Sequence, residues 1–69
     1  MEYKIQVFDS KNTARVFSVT ARNHSKVKRQ ARDKSMAQGI HKVILEFGED
    51  WIEYEKGKCY SSTLVNELD

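Results

Sequence analysis

The stretch Arg22–Gln38, RNHSKVKRQARDKSMAQ, decides how the rest of the chain can fold. It contains neither Pro nor Gly and is closed by Gly39. Asn23, with Ser25 as runner-up, can offer a side-chain oxygen to a free amide of a first turn. These signals predict one helix. At about 100° per residue, His24, Val27, Ala31, Lys34, Ser35 and Gln38 fall on one side, and Lys26, Arg29, Arg32 and Asp33 face away. Only Val27 and Ala31 of the inward set are apolar, so the helix is expected to lie close to what it covers, with His24 at one end and the aliphatic stem of Lys34 at the other. Met36 falls on the outer side, yet it can tuck under the sheet once the helix has ended.

Outward from the helix the period changes from 3.6 to 2. Tyr3, Ile5 and Val7 alternate with Lys4, Gln6 and Phe8, the pattern of a strand. The turn-rich residues 9–13 lead into ARVFSVTA, Ala14–Ala21, which is rich in β-branched and aromatic residues and pairs with the first strand as a hairpin. After Gly39, IHKVILEF (Ile40–Phe47) puts Val43, Leu45 and Phe47 on one face; a turn at Gly48, Glu49 and Asp50 follows, and WIEYE begins a fourth strand with Ile52 and Tyr54 on one face. Lys56-Gly57 suits a hairpin tip, returning as a polar edge strand, KCYSST; residues 64–69 read as a frayed tail.

The order β-β-α-β-β-β gives an α+β, two-layer sandwich: a five-stranded antiparallel sheet with one helix. A right-handed crossover places the third strand beside the first, for a strand order of 2-1-3-4-5. The helix then faces Ile5, Val7, Phe17, Val19, Val43, Leu45, Ile52 and Tyr54. Phe8, Val16, Ile44 and Trp51 point to the open face, either as scattered exposed residues or as a partner-binding patch centred on Trp51.

At 69 residues the chain is one domain with a small core, which leaves little room for a substrate cavity. Its single cysteine, Cys59, allows no internal disulfide and no four-cysteine metal site, a usage that suits a reducing cytoplasm. No apolar run resembles a signal peptide or a membrane span.

Reaction chemistry is not encoded by spacing. His24, His41 and Cys59 sit on three separate elements without an HxxxH or CxxC pattern, so no metal ligand set is expected. No nucleophile elbow or phosphate-cradling glycine pattern occurs, and the Glu53/Glu55 pair reads as a solvated strand face. No catalytic residue, cofactor or small-molecule substrate is therefore expected.

Charge is the informative signal. The net charge of +2 divides into +1 for residues 1–21, +5 for residues 22–39 and −4 for residues 40–69. A charged run of this kind is commonly just the solvated face of a helix. Alternatively, Lys26, Lys28, Arg29 and Arg32 form a cluster that neutralises phosphates without reading sequence. No aromatic residue is interleaved for single-strand stacking, so duplex backbone, guide RNA or an acidic protein surface are the partners this reading allows.

Val19-Thr20-Ala21 leading into a capped helix, then Lys28, Arg29 and Ala31, then Gln38-Gly39 before the third strand, and finally the Lys56-Gly57-Lys58 turn, carry a resemblance over roughly residues 16–60. They resemble the small phage-encoded anti-CRISPR proteins that act on type I-F surveillance complexes. Gln30 and Tyr60 depart from that pattern. The resemblance implies an inhibitor that binds the backbone subunits of a crRNA-guided complex in the host cytoplasm and obstructs target DNA. Lys28 and Arg29 would lie at or near the contact, while Ala31 and Gly39 would serve the fold. Lys26 and Arg32 join them on charge alone. Two other readings remain: a small DNA- or RNA-backbone-binding domain, and a structural or regulatory subunit using the open sheet face.

Overall fold

Alternation in EYKIQVFD produces β1, Glu2–Asp9, whose Tyr3, Ile5 and Val7 are buried while Glu2 and Lys4 are exposed. The computed structural model describes residues 2–64. After β1 come β2 (Ala14–Thr20), α1 (His24–Ser35), β3 (Ile40–Phe47), β4 (Asp50–Glu55) and β5 (Lys58–Ser62). They form one five-stranded sheet in the order β2-β1-β3-β4-β5, every neighbouring pair antiparallel. The expected α+β architecture, β-β-α-β-β-β, is therefore the one observed. Most of the tail read as frayed lies outside the described residues; Leu64 packs against the core.

The turns follow from residues that tolerate positive φ. Lys56 (φ 51°) and Gly57 (φ 82°) form the two-residue link between β4 and β5, the combination a type I′ hairpin requires. Between β1 and β2, the Asp9 carboxylate accepts from the backbone N–H groups of Lys11 and Thr13, both at 2.9 Å, so one side chain organises the whole loop.

Register places the core. On one side of the sheet, Phe17, Ile5, Leu45 and Ile52 lie in one cross-strand row, and Arg15, Val7, Val43 and Tyr54 in the next. The helix packs chiefly on β3, with smaller contacts to β4 and β1. Its seam is Val27, Ala31 and Ser35, an i, i+4, i+8 row buried completely or nearly so. Two of these side chains are smaller than Val, which lets the helix backbone approach the sheet. Ser35 is the polar member, 1% exposed; its Oγ accepts from the Gly57 N–H (2.9 Å) and donates to the Arg32 carbonyl (2.5 Å). A buried hydroxyl satisfied twice ties the last turn of α1 to the β4–β5 hairpin.

The helix starts where the sequence places it and ends earlier. It begins after Asn23, whose side chain accepts from the Ser25 N–H, and it stops at Met36, so Gln38 lies beyond it and is exposed. Lys34 is exposed too, its ammonium 5.1 Å from the centre of the Phe17 ring. Phe17 itself, expected under the helix, is 43% exposed, because β2 is the outermost strand and α1 lies over β3. Tyr3 and Phe47 complete the core at the other end, where His24 packs edge-on against Phe47 at 4.7 Å and lies 3.4 Å through Nδ1 from the Tyr3 hydroxyl.

Candidate phosphate-facing interface

With Val27, Ala31 and Ser35 turned to the sheet, the opposite side of α1 is fixed by helical periodicity. Lys26, Arg29 and Arg32 recur at i, i+3 and i+6 and are all exposed. At about 1.5 Å rise per residue they form a cationic row about 9 Å long. Lys28 is only half-exposed and already has an interaction partner within the fold, so it flanks the row and does not belong to it.

This face is electrostatically frustrated. Lys26–Arg29 and Arg29–Arg32 are i, i+3 neighbours and Lys28–Arg32 is an i, i+4 neighbour; like charges at these spacings destabilise a helix by roughly 0.2–0.5 kcal/mol each, and exposed Asp33, the i, i+4 neighbour of Arg29, offsets only about one of the three. The first turn holds no acidic residue, whereas Lys26 stands at its third position, at the end of the helix dipole that repels cations. Arg32 and Lys34, in the last turn, are favourably placed. A helix surface shaped by stability alone would carry a carboxylate where Lys26 stands. A bound polyanion would relieve all three repulsions together.

The fifth residue singled out from the sequence, Trp51, is not part of this surface. It is half-buried on the open side of the sheet, across from Glu46 and on the far side from α1. The four cations and Trp51 therefore cannot make one site. The open face mixes apolar and polar side chains. One row reads Val16, Gln6, Ile44, Glu53 and Ser61, and the next reads Ser18, Lys4, Glu46 and Trp51, so within these rows no two apolar side chains are direct cross-strand neighbours. The Gln6 amide donates to Glu46, and the Lys42 ammonium covers the Phe8 ring at 4.9 Å. These contacts are internal to the sheet surface.

Groups with reactive potential are spread over different elements. His24 belongs to the aromatic cluster at the start of α1, His41 is exposed on β3, and Cys59 is half-buried on β5 with its thiol 3.9 Å from the Ser61 carbonyl. Among the described residues no group of three or more His, Cys, Asp or Glu side chains could hold a metal ion, and no helix is long and apolar enough to cross a membrane.

No family model matches the chain, and neither a curated protein nor a solved structure matches it significantly.

Sequence periodicity was sufficient to find the outward cations. It left Lys28 off that face; Lys28 joined the candidate set through the charge cluster and the resemblance, and the fold sets it at the border, half-exposed. Ser35 was assigned to the inner side, but its partner, Gly57, lies 22 residues away on a different hairpin.

Proposed function

We propose that this protein is a non-enzymatic inhibitor that binds a crRNA-guided nucleoprotein complex in the host cytoplasm and keeps it from its target DNA, with the outer face of α1 as the contact. The observation that carries the proposal is the exposed row Lys26, Arg29 and Arg32 at like-charge spacing. The identity of the machine rests on the resemblance of residues 16–60 to anti-CRISPR proteins. A small domain seated on backbone subunits would occlude DNA by its volume, with the cationic row of α1 held by guide-RNA phosphates or by an acidic protein surface of the complex.

A second reading, a small domain whose helix meets duplex phosphate directly, draws on the same row and on the lack of an aromatic residue within it. The two separate in a titration against free duplex DNA and against an assembled, purified type I-F complex. Three phosphate contacts give a slope of about −2.7 in log K against log salt, so affinity for free duplex should fall about fortyfold between 50 and 200 mM salt if direct DNA binding is the function. The inhibitor reading expects much tighter binding to the assembled complex than to duplex at 200 mM salt. Equal affinity for both would overturn it in favour of the second.

A further inference from the structure

The two edges of the sheet are built differently. β5 is five residues long, carries Lys58, and its pairing with β4 shifts register between Glu53 and Tyr54; these are the devices that keep an edge from accepting another strand. β2 has fewer of them, with Arg15 as its one charged residue. It is seven residues long, ARVFSVT, without Pro or Lys, and it pairs with β1 in unbroken register from Glu2–Thr20 to Phe8–Ala14. Its outer edge is not covered by α1, and Val16 (60% exposed) and Phe17 (43% exposed) stand out along it. As the terminal strand it presents alternate N–H and C=O groups outward.

Beside this edge, on the helix side and just past the end of α1, runs an open groove of about 390 Å³. Val7, Ala37, Ile40 and Phe17 form its apolar floor, with Arg15 and Lys34 on the rim. Asp9 also lines it, but its carboxylate is already committed to the Lys11 and Thr13 amides. Groove and edge are contiguous through Arg15 and Phe17, which face the same side of β2.

We infer that β2 takes an extended segment of another protein as a sixth strand, and that the segment carries acidic side chains flanking an apolar one. Backbone pairing supplies the affinity and alternate side chains the choice of partner, as in other cases of strand addition. The added strand's helix-side positions fall next to Arg15 and Phe17. An apolar residue across from Phe17 packs beside its ring at the end of the groove; its same-face neighbours lie across from Arg15 and Val19, one carboxylate pairing with Arg15 and the other reaching for the Lys34 ammonium, which lies 5.1 Å from the Phe17 ring centre. Charge favours a different chain over a second copy as occupant: β2 itself, ARVFSVT, has no carboxylate to offer Arg15 or Lys34.

The test is a ¹⁵N-HSQC titration of the full chain with the acetylated, amidated heptapeptide Thr-Glu-Thr-Val-Thr-Glu-Thr, which presents Glu, Val and Glu on one strand face. Expected are shifts confined to Ala14–Thr20 and the groove, with slowed hydrogen exchange at some β2 amides. Affinity should fall about tenfold in Arg15→Gln/Lys34→Gln, whose exposed side chains can be replaced without disturbing the core, as its spectrum will verify. A peptide N-methylated at alternate residues should not bind. The inference fails if millimolar peptide produces no shifts, if shifts appear only in His24–Ser35, or if the N-methylated peptide binds equally well. It also fails if β2 resonances respond to protein concentration and not to peptide, which would make a second copy the occupant.

Discussion

Lys26→Glu should make the protein more stable and a poorer binder at once. Lys26 occupies the third position of α1 after the Asn23 cap, exposed, one turn before Arg29. Replacing it by Glu turns the Lys26–Arg29 repulsion into an attraction, a swing of about 0.4–1 kcal/mol. It also places a negative charge at the positive end of the helix dipole, where a carboxylate contributes about 0.3–1 kcal/mol and can reach back to the cap residue's N–H. Lys and Glu have nearly equal helix propensity, so that term cancels. Allowing for solvent screening, the gain is about 1 kcal/mol at low ionic strength, or roughly 4–8 °C in Tm for a domain of this size. Thermal unfolding followed by circular dichroism at 20 mM and at 1 M NaCl measures it. The stabilisation should shrink at high salt as the Debye length falls to about 3 Å. The same variant should lower the magnitude of the salt slope for polyanion binding by about 1 or more. A destabilised variant, or a gain that persists in 1 M salt, would refute the claim that the outer face of α1 is electrostatically frustrated. A stabilised variant that binds as tightly as the wild type would refute the link between that frustration and function.

Two further substitutions test the frame that presents the face. Ser35→Ala should cost about 1–3 kcal/mol in urea denaturation, because the Gly57 N–H loses its buried acceptor; a loss below 0.5 kcal/mol would mean that water replaces the hydroxyl. Gly57→Ala should cost about 1–2 kcal/mol from its left-handed backbone, since φ is 82°, and the added methyl would lie 2.8 Å from the Met36 sulfur. Met36 is 56% exposed and can swing aside, so Met36→Ala in the same chain should recover only a small part of that loss.

Most of the architecture was legible because each element has a single strong period bounded by residues suited to turns. Alternation in β1 and β3 identified their buried faces, Asn23 marked the start of α1, and Lys56-Gly57 marked the last hairpin. What could not be read was coverage. One helix cannot span five strands, and nothing in ARVFSVT says that β2 lies outside its shadow; Phe17 looks like a core residue in sequence and is a groove wall in the fold. The same limit applies to the site. The outward cations follow from a 100° step per residue, and alternation along WIEYE already put Trp51 on the open face, where the pairing with Glu46 holds it; that this separates it from the cations was legible too, whereas the half-buried state of Lys28 was not. Met36, outward by periodicity, ends in contact distance of the β4–β5 turn because the helix stops there.

The central claim is that the outer face of α1 is the contact surface, and one measurement addresses it most directly: target-DNA binding by a purified type I-F complex in the presence of wild type, of Lys26→Gln/Arg29→Gln/Arg32→Gln, or of Trp51→Ala. All three altered helix residues are exposed, so the triple variant should keep the fold. The account predicts that wild type and Trp51→Ala block DNA binding and that the triple variant does not. Full inhibition by the triple variant, with inhibition lost in Trp51→Ala, would move the contact to the open face of the sheet and contradict the account.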